Sequence, residues 1–288
     1  MNIKLKSAIV LGMAAILGLA GCSTSQDAPI VVGSQAYYSN EIVAEIYAQV
    51  LEDGGYKVER SFSLGQRDIY LPALINGEVD LFPEYTGNLL QYFNPEATET
   101  EANAVYAALE TALPDGLSAL AMSPASDQDS YNATKEYAAA NNLSSLEDLA
   151  GLSGLRLGGA PELAERPYGP KGLSEIYGVD VSFEATGDTT VDSLTAGQID
   201  LANVYSADPR IQQLGLVTLA DPKGLFLASN LVPIASGKLD NKARDLINAA
   251  SEAMSAAELV ALNVRSVEEK LSSAEIAKDW LRSKGLIG

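Results

Sequence analysis

The chemistry open to this chain is limited first by what it lacks. The 288 residues include no histidine, which removes the commonest general base and the commonest metal ligand together. Cys22 is the sole cysteine, so no disulfide framework competes for it. Nucleophilic catalysis would need Ser–Lys or carboxylate chemistry, and no motif for either stands out. Tyrosine dominates the aromatics, 13 against 5 phenylalanines, a bias toward rings with a hydrogen-bonding end. Arg67 follows the turn at Gly65 and opens a helix. From there a guanidinium can clamp a ligand carboxylate bidentately, with the helix amides near Gly65–Asp68 beside it. The alternative is a surface arginine paired with Asp68 or Glu84. Arg166 and Lys171 border the loop Pro167–Pro170 and give a weaker indication of the same kind.

These side chains are carried by alternating strands and helices. Strands are expected at Ile30–Gly33, Tyr56–Phe62, Val79–Phe82 and Leu117–Met122. Helices are expected at Asn40–Glu52, capped by Ser39 or Asn40, and at Asp68–Asn76, Gly87–Phe93 and Thr100–Leu113. A second series starts near Ser126, with helices over Ala133–Asn141, Ser144–Leu149, Gly172–Tyr177 and Thr190–Ala196. Its strands are Leu155–Gly158, Val181–Ala185, Ile199–Val204 and Leu216–Leu219. Leu225–Ile234 reads as an apolar return strand, and Asn241–Arg282 as helix broken near Ser266–Val267. Such alternation predicts an α/β fold with parallel or mixed sheets flanked by helices. Ligands in such folds sit at the carboxyl ends of strands.

Two segments echo each other. Leu74-Ile75-Asn76-Gly77-Glu78-Val79-Asp80-Leu81 resembles Leu194-Thr195-Ala196-Gly197-Gln198-Ile199-Asp200-Leu201. Each reads as a helix end, a glycine cap and a strand starting at aspartate. Each is followed shortly by a tyrosine, Tyr85 or Tyr205, placed just beyond a strand at the mouth of its own lobe. Two such mouths facing each other make a cleft.

The N-terminus reads as an export signal. Met1–Ser7 carries Lys4 and Lys6 without an acid, Ala8–Ala20 is apolar, and Leu19-Ala20-Gly21-Cys22 closes the run. This is a basic start, a short apolar core and small residues at the cut, and it resembles a bacterial lipobox in which Cys22 is lipidated. Residues 1–21 are the expected signal peptide and 22–28 the linker from the membrane. The formal charge is −19, and removal of the two signal lysines makes it more negative still. A surface this acidic repels phosphate backbones and disfavours nucleic acid as a partner.

Several motifs then fall into one order: Gly33-Ser34-Gln35 with Tyr37; Leu64-Gly65-Gln66-Arg67; Phe82-Pro83-Glu84-Tyr85-Thr86-Gly87; Ser145-Leu146-Glu147-Asp148-Leu149; Lys171-Gly172-Leu173 with Ile176-Tyr177-Gly178; Tyr205-Ser206-Ala207-Asp208-Pro209-Arg210-Ile211; and Asn230 to Pro233. In this order they resemble the substrate-binding proteins of ABC importers for glycine betaine, choline and related osmoprotectants. The Pro-Glu-Tyr-Thr-Gly element is the most specific piece. The resemblance implies a two-lobe, type II periplasmic-binding-protein-like α/β fold with two hinge strands. Lobe 1 is then 29–124, lobe 2 is 125–225, and the chain returns to lobe 1 over 226–288. It implies a binding protein that is not an enzyme, uses no cofactor or metal and acts as a monomer. Its partners are an ABC permease and, through it, a cytoplasmic ATPase, with only the lipid anchor in the membrane.

The resemblance also implies the site. A quaternary ammonium has no N–H to donate and is held by the negative faces of aromatic rings. Tyr85 and Tyr205 match cage positions, and Asn230 corresponds to a family asparagine and counts with them as a ligand-binding candidate. Two further rings are displaced: Ser126–Tyr131 replaces an Asn-Asn-Thr-Tyr element, and Ser229 stands where a ring precedes the asparagine. Tyr37, Tyr38 and Tyr131 are the candidate replacements, Asp127 or Asp129 can neutralise a cation, and Arg67 can take a carboxylate. The alternative for the two acids is a solvated hinge loop. The same fold serving choline, carnitine, ergothioneine or another compatible solute is the nearest alternative reading. An exported enzyme and a structural lipoprotein are more distant ones.

Overall fold

A computed structural model describes residues 28–288. The signal peptide, the lipidation of Cys22 and the linker up to residue 27 lie outside the described residues. The first half runs β1 (Ile30–Gly33), α1 (Tyr38–Asp53), β2 (Val58–Ser61), α2 (Arg67–Ile75), β3 (Leu81–Tyr85), α3 (Thr86–Phe93), α4 (Ala102–Ala112) and β4 (Leu117–Ala119). Then come β5 (Asp129–Ala133), α5 (Lys135–Asn141), β6 (Leu155–Gly159), α6 (Pro170–Tyr177), β7 (Val181–Ala185), α7 (Thr190–Thr195), β8 (Leu201–Tyr205), α8 (Arg210–Gln213) and β9 (Val217–Thr218). The chain ends with β10 (Leu231–Ser236), α9 (Asn241–Glu252), α10 (Ala256–Val267) and α11 (Ser273–Lys284).

Two five-stranded sheets form, in the orders β2-β1-β3-β10-β4 and β7-β6-β8-β5-β9. In each, three strands are parallel and the next is antiparallel. The sheets define two lobes, each with apolar clusters on its helical faces. The lobes are joined by two crossing segments that bond to each other. Ser126 bridges Asn230, Asp127 N donates to Ser229 O at 3.0 Å, and Leu231 N donates to Ala125 O at 2.9 Å. This is the two-lobe architecture with paired hinge strands that the motifs imply.

The internal echo has a physical role. Asp80 accepts the backbone N–H of Val31 at 2.8 Å, and Asp200 accepts that of Arg156 at 2.9 Å. Each carboxylate thus straps its own strand to the parallel neighbour, and each is balanced by a cation, Lys238 at 2.7 Å and Arg156 at 2.8 Å.

Four sequence expectations are corrected. Helix α1 starts at Tyr38, because Asn40 is spent elsewhere: its Oδ1 accepts Gln35 N at 2.8 Å and its Nδ2 donates to Pro83 O at 2.8 Å. Tyr85 and Tyr205 are the last residues of β3 and β8 and do not lie beyond them. The stretch from Asp129, where no strand is expected and a solvated loop is the alternative reading, is a buried strand. The C-terminal tail breaks after Val267 as expected, but it breaks a second time before Ser255, whose capping box starts α10 as that of Ser272 starts α11, so it is three helices.

Candidate functional site

The carboxyl ends of the parallel strands from both lobes point at one cleft. Lobe 1 contributes Gln35 and Tyr37 after β1, and Tyr85 at the end of β3. Lobe 2 contributes Glu162 after β6, and Tyr205 at the end of β8. All five line an inner chamber with Gln66, Arg67, Asn88, Asp127, Arg166 and Tyr168. Its free volume of about 20 Å³ admits a water and little more. Beside it lies an outer chamber of about 500 Å³, within the range of small-molecule sites. Tyr38, Asp208 and Arg210 line the outer chamber only. Gln35, Tyr37, Gln66, Asp127, Glu162 and Tyr205 belong to both walls.

The partition between the chambers is a pair of rings from opposite lobes. Tyr37 lies against Tyr205 with centroids 5.6 Å apart. The Tyr37 hydroxyl donates to the Tyr85 hydroxyl at 2.6 Å and reaches Asp127 Oδ2 at 3.4 Å. Asp127 Oδ1 accepts the amide of Ala207 at 2.8 Å. That carboxyl, on the first crossing segment, is 4% exposed. Burial pushes its pKa up to about 7, with Asp129 and Asp208 adding to the rise against the Ala207 amide.

The Pro83–Gly87 motif supplies the floor. Glu84 is fully buried and holds Arg67 in a two-pronged pair, Nε at 2.9 Å and Nη2 at 2.8 Å, and takes the Tyr70 hydroxyl as well. Thr86 ties the motif to the second crossing, donating to Ala228 O at 3.1 Å and accepting Asn230 N at 3.0 Å. A side chain at Gly87 would meet Ala228 O at 2.7 Å, so only glycine fits beneath that segment.

The expected site residues separate into two groups. Tyr37, Tyr85, Tyr205, Asp127 and Arg67 line the inner chamber, and Tyr38 the outer one. Arg67 is buried and engaged by Glu84, the partner weighed for it, though not at the surface. Asp129, Tyr131 and Asn230 line neither chamber. Asp129 is enclosed by Asn88 Nδ2 at 2.6 Å and Asn203 Nδ2 at 3.0 Å, and burial raises its pKa against those bonds. Tyr131 is buried in the lobe 2 core, its hydroxyl donating to Tyr168 O at 2.6 Å. Asn230 Nδ2 donates to Ser123 O at 3.0 Å, so it fastens the hinge.

Sequence reasoning passed over Gln66, Asn88, Glu162 and Tyr168 as site residues. Tyr168 stands in the Pro167–Pro170 loop already marked by Arg166, and Asn88 follows the most specific motif. Asn88 Nδ2 also donates to the Tyr168 hydroxyl at 2.8 Å, and Ser229 Oγ donates to Asn88 Oδ1. One amide thus joins both lobes and a crossing segment. Arg166, half-buried, has no ion pair or side-chain hydrogen bond among the described residues.

Residues 28–283 match the family described as the substrate binding domain of an ABC-type glycine betaine transport system. The glycine betaine-binding protein YehZ of Escherichia coli K12 is 27% identical over 277 residues, covering 89% of this chain and 91% of that protein. The carnitine transport binding protein OpuCC of Listeria monocytogenes is 25% identical, with 96% and 93% covered. Among solved structures, apo YehZ from Escherichia coli superposes with a TM-score of 0.66 at 26% identity over 90% of this chain and 99% of that one. A glycine betaine/carnitine/choline ABC transporter structure superposes with a TM-score of 0.73 at 22% identity, over 89% and 99%, and so shares the fold. This protein therefore belongs to the family of substrate-binding domains of ABC-type glycine betaine transport systems.

Proposed function

We propose that this chain captures a small zwitterionic or cationic amine of the glycine betaine type between its lobes and hands it to a permease powered by a cytoplasmic ATPase. It does so outside the cytoplasm, tethered through Cys22, and it carries out no covalent chemistry. The observation that carries this reading is the convergence of Tyr37, Tyr85 and Tyr205 from both lobes, with Asp127, on one chamber. The ammonium occupies the ring-and-carboxylate end, each ring contributing roughly 0.5–2 kcal/mol once water is excluded. A carboxylate on the ligand faces Arg166, whose guanidinium is uncommitted among the described residues. The ~500 Å³ outer chamber gives room for a longer zwitterion such as carnitine.

Thermal unfolding and calorimetry against glycine betaine, choline, carnitine, ergothioneine, proline betaine and plain amino acids test the reading. A ligand at a hundred times its Kd stabilises by about 2.7 kcal/mol. Tyr85→Ala and Tyr205→Ala each weaken binding by roughly 2- to 30-fold. Arg166→Ala costs zwitterions roughly 10- to 100-fold and leaves choline nearly unchanged. A flat panel sinks the proposal.

A further inference from the structure

We propose that Asp127 makes this receptor select ammonium ligands that carry at least one N–H over fully methylated ones. The inference rests on the receptor reading above and sharpens its substrate class.

A cationic ligand beside Asp127 favours its ionised form, and an ionised carboxylate offers about four lone-pair sites. In Asp127, Oδ1 takes the Ala207 amide at 2.8 Å. Oδ2 has only the Tyr37 hydroxyl at 3.4 Å, and that hydroxyl has a single proton and a nearer acceptor, Tyr85 at 2.6 Å. A carboxyl that is 4% exposed is thus left under-satisfied at the wall of both chambers. Buried acceptors in that condition gain most from a donor brought by the ligand. A protonated secondary or tertiary amine supplies one, as a charge-assisted N–H···O bond of about 2.7–2.9 Å. A trimethylammonium presents only methyl groups, so it keeps its charge farther away and leaves Oδ2 without a hydrogen bond.

The rest of the chamber does not reverse this preference. The tyrosine faces attract any ammonium through its charge. Four tyrosine rings, Tyr37, Tyr85, Tyr168 and Tyr205, line the inner chamber, but two further positions that would reward extra methyl groups contribute no ring to it. Tyr131 is in the lobe 2 core, and Ser229, where a ring was expected, is tied to Asn88. At the Ser229 position, where a ring would favour N-methylation, this chain presents two polar groups bonded to each other.

A methylation series on one carboxylate scaffold isolates the effect. Calorimetric titration of the purified protein with glycine betaine, N,N-dimethylglycine and sarcosine varies the N-methyl count from three to one and changes little else. We expect N,N-dimethylglycine to bind at least ten-fold tighter than glycine betaine. In Asp127→Asn the acceptor for Ala207 is kept and the free carboxylate oxygen is lost, so that ratio should collapse at least ten-fold. Tighter binding of glycine betaine by the unaltered protein overturns the inference while leaving the receptor reading intact. So does a ratio unchanged in a folded Asp127→Asn protein. If none of the three binds and the wider panel is flat, the receptor reading falls and this inference with it. The ratio in the unaltered protein decides the matter even if the variant does not fold.

Discussion

Asp127 imposes a cost on the folded protein that its neighbours only partly offset. The groups facing it are Tyr37, Tyr38 and Tyr85 from lobe 1, Asp129 on β5, and Asp208 after β8, the last already paired with Arg210 at 2.6 Å. None of them is a free cation. Its carboxyl therefore ionises near pH 7 in the folded chain but near its ordinary value of 3.8 when unfolded. A raised folded pKa means that the protonated form's stability contribution is fully present below about pH 4. It is lost as pH rises through about 7, by about 4 kcal/mol at most. Acids with lowered values, such as Glu258, have the opposite slope, so the variant difference is the informative quantity. We expect Asp127→Asn to gain stability relative to the unaltered protein between pH 5 and pH 8 in urea unfolding. A pH-independent difference would show that the carboxyl stays charged. The same residue shows what sequence alone withholds. Its type is readable as a cation partner, but burial decides between that role and a solvated loop, and burial comes from β5 and the opposite lobe. Tyr131 fails for a related reason. It lies two residues inside β5 from Asp129, about 7 Å deeper along the strand, and spacing in the chain does not report depth.

Among the elements, the repeat that carries the two aspartate straps is legible in the sequence as a helix end, a glycine cap and a strand start, while the strap itself is not. The paired Gly-x-x-Asp segments repeat because both sheets must fasten a strand that has no hairpin to set its register. The two straps are not equal. Asp80 is almost fully enclosed, its side chain 2% exposed against 14% for Asp200, and Ser236 Oγ reaches it at 3.3 Å as well. Asp80→Ala leaves the Val31 N–H without its acceptor and removes the partner of Lys238, which keeps Pro29 O at 2.7 Å, and should cost about 2 kcal/mol of lobe 1 stability. Asp200→Ala should cost less, because water already reaches Asp200 itself, 14% exposed against 2% for Asp80. Urea unfolding followed by separate fluorescence probes in each lobe compares them, and equal losses would contradict the argument. The capping boxes at Ser255 and Ser272 are equally legible, a serine with glutamate three residues on. The box at Ser255 adds a helix start to a tail whose apolar periodicity suggests one break only, near Ser266–Val267. The β5 start was not legible, since Asp-Ser-Tyr-Asn has little strand character. Its pairing with β8 and β9 is what makes it a strand.

For the whole molecule, the two lobes meet at more than the hinge. The Tyr37 and Tyr205 rings touch across the cleft, Asn263 Nδ2 on α10 donates to Ala207 O of lobe 2 at 3.0 Å, and Gln213 donates to Glu268. A ring pair of this kind is worth about 0.5–1.5 kcal/mol beyond its buried area, which is roughly 2- to 12-fold in a population ratio. The same rings line the inner chamber, so a ligand there must separate them. In doing so it exchanges a ring–ring contact for two ring–cation contacts. Closure without ligand and closure around ligand therefore compete for the same two faces. Tyr37→Ala should shift the ligand-free protein toward open lobes and raise its radius of gyration in small-angle scattering. A saturating ligand should restore the compact value less completely than in the unaltered protein, because one cage face is gone. Replacing Tyr38, which borders only the outer chamber, should leave the ligand-free radius unchanged. If Tyr37→Ala and Tyr38→Ala scatter alike, the ring pair does not hold the lobes together, and closure is set instead by the hinge bonds and the α10 contacts.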